Sequence, residues 1–529
     1  MRLLDVVMAY DRQWDYWLPM PVADGPPLPR GWGIYWPWYI PPESPDGGNG
    51  GSGMAAFPEA RGFGAIAQGG RGGRIIDVTN LNDSGSGSLR AALESSGPRI
   101  VIFRVGGILR LRSQIRIRNP YLTVAGQTAP GGGILVTGWD ESDFKNAQLL
   151  SVHTHDVILR YLRVRNIAAG PPGSGQQCIS VATGARRVSI DHCSFSWNLD
   201  DNNIYATGPE GIEDVSIQQC IFSESLWPHS TGFFGGGRYD YLVSPPVQHQ
   251  LGVRNVSLYR NLFAHNSQRH PNTSANGLEW VNNLVYNWRN DLGEITATAL
   301  VDILNNLCTP GPMSRADHYT YEGARNVGQV NEEHFPPPLG ILMRGNIVEG
   351  RWIDPRANNF EIKDGVALVF VASGEYANQL VPALWQRGIR LPQGPFPVVP
   401  YPALTLEDIV LSDVGANARL DELGKWVSNA DAVDLRVIRS VRERTDWAGI
   451  AAGQPGVHDI PPTTPEEAGG FPVIDPGSPY QDSDGDGMPD AWEAAQGLDP
   501  YGSPDDAQVQ DLDGVPVIEH FLNGTAPRL

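Results

Sequence analysis

VSLYRNLF at 256–263, EWVNNLVY at 279–286, DILNNLC at 302–308 and ILMRGNIV at 341–348 share one pattern: alternating apolar residues, an amide, then another apolar pair. The pattern extends backwards through VSIQQCIF at 215–222, VSIDHCSF at 188–195 and YLRV at 161–164. Aligned on Leu162, Cys193, Cys220, Asn261, Asn283, Asn306 and Asn346, the steps are 31, 27, 41, 22, 23 and 40 residues. A minimum step of about 22 with longer outliers predicts a stacked β solenoid whose coils carry insertions. Each copy supplies a strand that pairs with the copies above and below at roughly 4.8 Å, so like residues stack on like. Cys193 is expected over Cys220. Asn261, Asn283, Asn306 and Asn346 are expected to form a ladder in which each buried amide bonds the next rung.

The composition suits that architecture. The chain has 529 residues, 41% of them hydrophobic, with 61 Gly and 44 Pro, enough for a large core and many turns. A formal net charge of −20 argues against nucleic acid as a partner, which demands a basic footprint. An acidic protein that handles an acidic polymer must instead gather local positive charge from Arg, Lys or bound cations. The cysteines at 178, 193, 220 and 308 lack metal-ligand spacing and fall on or near the repeat phase, which predicts stacked core thiols. No stretch is long and apolar enough to span a membrane. The N-terminal segment MRLLDVVMAYDRQWDYWLPMP carries Asp5 and Asp11 where a signal peptide needs an unbroken apolar core.

Four segments follow. Residues 1–53 form an aromatic, proline-rich extension that ends in the flexible stretch GGNGGSG at 47–53. The tryptophans at 14, 17, 32, 36 and 38 predict that 1–46 docks on the solenoid, on another protein or on a larger particle; the competing reading starts the chain at Met54. Residues 54–403 are assigned to the solenoid and 404–481 to a helical segment and linker packed on it, from the helical spacing of apolar positions in 404–445. Residues 482–529 form a tail that opens with DSDGDGMPDAWE at 482–493. This stretch fits the twelve-residue calcium loop, with Asp482, Asp484, Asp486, Asp490 and Glu493 as oxygen donors and Gly487 at the sharp turn. A partial copy at 509–520 keeps Asp511 and Asp513 but ends in His520, so weak binding is expected there. A calcium ion in the first loop is expected to hold the tail together.

Residues from 57 onward carry a family resemblance. GFGA at 62–65 and GGRGG at 69–73 lead to VTNLNDSGSGSLR at 78–90 and AGQTAPGGG at 125–133. They are followed by IDHCSFSW at 190–197, NLFAHNSQRHP at 261–271, NNLVYNW at 282–288 and the 404–445 stretch. With these motifs in this order the chain resembles bacterial pectate lyases and related pectate-lyase-like proteins over nearly everything after residue 56. The resemblance implies a right-handed parallel β-helix, all-β apart from peripheral C-terminal helices and the EF-hand-like calcium loop. It also implies a lyase that cleaves uronate polysaccharides by β-elimination. There a base removes the proton beside the sugar carboxylate, calcium held by solenoid carboxylates neutralises that carboxylate, and an arginine acts as the base. The matching arginine is Arg269. A guanidinium that grips the substrate carboxylate is the alternative role. Asp200 and Asp201 fall where the family holds its calcium, and His265, His270 and Trp227 are expected to contact the sugar. Where another aspartate is implied one coil earlier, the chain carries Gln176 and Gln177; Thr231 stands in place of a lysine, and no second arginine follows His270. Asp200 with Glu224 is a further carboxylate pair, of the kind a glycosidase uses.

Two functions are thus open: a polysaccharide lyase acting on an acidic glycan, or a non-catalytic glycan-binding or virion tail-type protein on the same solenoid. Either implies an extracellular location, reached by a non-standard route or on a virion.

Overall fold

The computed structural model describes residues 54–139, 148–167, 176–206, 210–237, 252–296, 299–315, 321–325, 340–349, 362–363, 366–367, 370–372, 387–503 and 506–528. The expectations for residues 1–53 lie outside the described residues.

Three long parallel sheets run side by side along one axis. The first stacks ten strands: Arg74–Val78, Arg99–Phe103, Leu122–Ala125, His155–Arg160, Arg186–Asp191, Ile212–Gln218, Val253–Tyr259, Asn276–Val281, Leu300–Leu304 and Gly340–Arg344. The second stacks nine shorter strands, from Gly107–Leu111 through Ser194–Ser196 to Ile347–Val348. The third also has nine, beginning at Ile115–Ile117, Leu150–Val152, Ile179–Ala182, Asn202–Ala206, Phe233–Gly237 and Asn272–Thr273. Each coil visits the sheets in turn, so the fold is a right-handed parallel β-helix. Among the described residues, no helix is long and apolar enough to cross a membrane.

The repeat aligned by sequence is the corner between the first and second sheets. Asn261, Asn283 and Asn306 each donate from Nδ2 to the Oδ1 of the next rung, at 2.9, 3.3 and 2.7 Å. The same oxygens accept the backbone N–H of the preceding asparagine at 3.0, 2.8 and 2.9 Å. Every buried amide is therefore satisfied by an identical neighbour, which explains why the residue type repeats. Cys193 lies over Cys220, its backbone N–H 3.4 Å from the sulfur, and all four cysteines are buried thiols. Inside, Phe195, Phe222 and Phe263 stack at 5.0 and 4.8 Å between ring centres.

The family motifs outside the repeat have local reasons. A Cβ at Gly64 would meet the carbonyl of Val188 at 2.2 Å, so only glycine lets this loop lie flat on the first sheet and donate to Ser216 Oγ. The helix Leu89–Glu94 is capped by Ser88, whose side chain accepts from Ala91 N, and it sends Leu89, Ala92 and Leu93 into the main core.

The stretch 404–445 is not helical throughout. Helices Leu406–Leu411 and Ala432–Glu443 flank an antiparallel hairpin of Ala418–Leu420 and Trp426–Ser428. Gly415 and Gly424, with φ of 78° and 69°, break the helical path. The longer helix docks on the second sheet through a charged cluster in the interior. Arg165 bonds Asp431 at 2.5 Å and Asp434 at 2.8 Å; Ser194 Oγ donates to Asp434 at 2.7 Å.

A second buried cluster sets a pH dependence. His192 stacks on Tyr161, with its ring nitrogens 2.9 Å from Asp191 and 3.2 Å from Asp413. Arg160 and Arg260 complete the charged surroundings. Burial alone would lower the imidazole, but Asp191 and then Asp413 outweigh it and raise His192 to about 9. The unfolded value is about 6.5, so this stabilisation is fully present below that pH and is lost as pH rises through 9. We expect stability to fall by up to ~3 kcal/mol between pH 6 and 9.5, and His192→Gln to flatten that slope. Urea midpoints measured across this range check it.

Candidate functional site

Side chains of the third sheet alternate, so its outward positions stack into columns along the axis. One column runs Arg116, Ser151, Ser180, Asn203, Phe234, Asn272. Beside it lies an open cleft of about 700 Å³, whose lining includes Gln148, His153, Gln177, Asp201, Tyr205 and Arg269. The acidic residues enter from the corner after Ser194–Ser196, and Arg269 from the matching corner two coils further on.

At the centre Arg269 is ion-paired with Asp201. Burial raises the Asp201 carboxyl to about 6, with Arg269 opposing and Asp200 adding to the rise. Arg269 loses charge stability by burial but gains more from Asp201, so its guanidinium is held above its ordinary value. Asp200 receives the Asp201 N–H at 2.9 Å and lies 3.4 Å from His229 Nδ1. Asp201 Oδ1 and Gln177 Oε1 are buried and accept no hydrogen bond among the described residues. Two orphaned oxygens beside a second carboxylate make an oxygen donor set that suits a hard cation such as calcium. Gln177 thus stands in this cleft where the resemblance implies a carboxylate.

Three expected substrate contacts are corrected. His265 is fully buried under the C-terminal helix: Nε2 meets Ser440 Oγ at 2.7 Å, and Asn287 donates to Nδ1 at 2.8 Å. His270 is equally enclosed, 3.0 Å from the Leu292 carbonyl. Burial pushes both imidazoles down to about 3, leaving them neutral and structural. Trp227 lies under the Arg289 guanidinium, 4.8 Å from the ring centre, outside the cleft lining. The glycosidase pair is corrected too, because Glu224 is buried and binds Trp197 Nε1 and Arg436. Sequence reasoning missed Gln148, His153, Ser180, Asn203, Phe234 and Asn272. Their only signal is outward alternation on the third sheet.

In the C-terminal loop, ligand atoms of Asp482, Asp484 and Asp486 lie within 4.8 Å of one another. Glu493 is 1% exposed, and its Oε2, like Asp484 Oδ2, accepts no hydrogen bond among the described residues. Burial and then the surrounding aspartates raise its carboxyl to about 8. These four residues fit a bound cation. The Asp490 carboxylate accepts from Ser483 N and Oγ, both at 2.7 Å, and that of Asp482 accepts from Gly485 N at 2.7 Å and Gly487 N at 2.9 Å and pairs with Arg104, so both would have to exchange these partners for the ion. In the partial copy, Asp511 is already occupied by backbone N–H groups of Asp513 and Val515 and by His520.

A parallel solenoid whose open face carries a cleft of arginine, carboxylates and amides is of the class of β-helical carbohydrate-active proteins. Relatives narrow the class. A protein of Aspergillus terreus named "Probable pectate lyase C" is 31% identical over 488 residues, 90% of this chain and 95% of its own. One of the same name from Aspergillus fumigatus is 30% identical over 480 residues, 90% of this chain and 94% of its own. The chain belongs to the pectate lyase family. A solved Bacillus subtilis pectate lyase variant has a TM-score of 0.46 at 13% identity, covering 69% of this chain and 98% of its own. No family model matches the chain.

Proposed function

We infer that the protein is a polysaccharide lyase that cleaves a pectate-like uronate polymer by β-elimination, acting outside the cell. The observation that carries this reading is the meeting of Arg269 with Asp201 in an open cleft that also presents orphaned oxygen donors. In the elimination, the C–H bond beside the sugar carboxylate breaks and its proton passes to the base, the glycosidic C–O bond on the next carbon breaks with its oxygen taking a proton from solvent, and a carbon–carbon double bond forms. Asp200, Asp201 and Gln177 would hold calcium, which supplies positive charge to the substrate carboxylate and so acidifies the adjacent C–H. Arg269, paired with Asp201, is fully protonated. Opening the pair points its guanidinium at substrate and withdraws the carboxylate that holds its proton, as proton acceptance requires. Tyr205 and Phe234 offer ring faces on the cleft floor. The test is incubation with pectate and alginate, with calcium and with chelator, following the ultraviolet absorbance of the unsaturated product. No absorbance on any uronate polymer overturns the reading.

The C-terminal loop binds a second, structural calcium in this reading, through Asp482, Asp484, Asp486 and Glu493. Chelation should lower Tm by about 2–5 °C, the mass-action effect of losing a well-occupied site in a large domain. Glu493→Gln should abolish this shift, as scanning calorimetry with and without EDTA would show.

A further inference from the structure

The columns that floor the cleft do not begin at the cleft. Arg116 is in register with Ser151 and Ser180, and Arg118 follows Ile117 as His153 follows Val152. The first coil therefore places an arginine at the head of each column, one coil beyond the cleft lining of Gln148 and His153. Arg116 and Arg118 are both exposed, and so is Arg112 at the preceding corner. Among the described residues, none of the three pairs with a carboxylate, although the chain carries a net charge of −20. Arg116 Nε donates to Gln114, and Arg112 lies over Trp139, 4.4 Å from the ring centre, beside a smaller cleft of about 430 Å³. His153, half-buried between the arginines and the cleft, is lowered by burial and then by the charges of Arg116 and Arg118.

We propose that Arg116 and Arg118 form a distal anchor for the carboxylates of a long polyuronate chain, with the Arg112–Trp139 stack as the outer end of the track. The anchor rests on the proposed lyase function for its substrate class. Five coil steps, about 24 Å along the axis, separate Arg116 from the coil of Arg269, and three steps, about 14 Å, separate it from the coil of Asp201, with which the Arg269 guanidinium pairs. The anchor therefore engages chains that extend beyond the reacting sugars, and it acts most on polymers. It adds ground-state grip remote from the reacting bond, so it lowers KM for long chains and leaves kcat unchanged. It is also screened by salt.

The test is the double variant Arg116→Glu/Arg118→Glu. On polygalacturonate at low salt, KM should rise about tenfold with kcat within about twofold, while trigalacturonate kinetics stay at the wild-type values. The control Arg439→Glu/Arg442→Glu makes the same change in net charge on the exposed side of the C-terminal helix and should leave KM for the polymer unchanged. Equal losses in both pairs, or equal losses on polymer and trimer, overturn the anchor. Binding is read separately, as retardation in polygalacturonate-containing gels in an Arg269→Ala background. Reduced retardation from the first pair only supports the anchor even if the wild type cleaves no uronate, in which case the lyase reading alone fails. Unchanged retardation, or none by either parent, overturns it.

Discussion

Arg269→Ala should lower kcat on the uronate polymer by about 10³-fold, the middle of the range for loss of a positioned proton-transfer group, while KM changes far less. The fold should survive, because among the described residues the guanidinium bonds only the Asp201 carboxylate, and it lies in an open cleft. The neighbour will feel the change. Asp201, held near 6 with Arg269 opposing its burial, loses that opposition and rises further. Arg269→Lys separates the two roles of the residue. Lysine keeps the charge and the grip on a carboxylate but lacks the planar fork, so KM should stay within about threefold while kcat still collapses. Full activity in Arg269→Ala, measured as the ultraviolet absorbance of unsaturated product, would sink the assignment of the residue.

The largest stability effect is expected far from the cleft. Asp434→Ala removes one of two carboxylates that balance Arg163 and Arg165, all four lying in the interior between the second sheet and the helix Ala432–Glu443. Two guanidinium groups then share Asp431 alone, and Ser194 loses its acceptor. Breaking a buried ion network on one side costs about 3–5 kcal/mol, because the remaining charge stays desolvated without its partner. The urea midpoint should fall accordingly, and protease cleavage within 404–445 should become fast. A loss below about 1 kcal/mol would show that apolar contacts, such as Val437 and Val441 against Leu262 and Leu284, dock the helix by themselves.

The two effects mark what the sequence could and could not disclose. The asparagine ladder was legible because stacking demands the same residue at each rung, so geometry writes itself into composition. Arg269 and Asp201 were legible through motifs that travel together. The cleft floor was not. Its column changes residue type at nearly every coil, and its members are 35, 29, 23, 31 and 38 residues apart from Arg116 to Asn272. Insertions at the corners scramble the spacing, and only the strand register restores it. His265 and His270 misled for a related reason. They adjoin Arg269 in sequence, but His265 turns under a helix whose contact, Ser440, is 175 residues away. A strand corner sends consecutive side chains to different sides of the wall. Proximity in sequence to a reactive residue therefore says little about shared access to solvent.

The tail that carries the acidic loop lies against the opening coils of the solenoid. Ile518 and Phe521 share an apolar cluster with Ile100 and Ile102, and Met488 and Trp492 join it. Arg71 pairs with Glu519 at 2.8 Å across 448 residues, and Arg104 pairs with Asp482 across 378. During synthesis, then, the first rungs leave the ribosome several hundred residues before the segment that covers them. Their outer faces must stay wet, or be shielded by something else, until the last helix arrives. The molecule closes like a clasp whose two halves are made several hundred residues apart, and chains stopped short of residue 482 would carry an unclasped apolar face however well their coils had stacked.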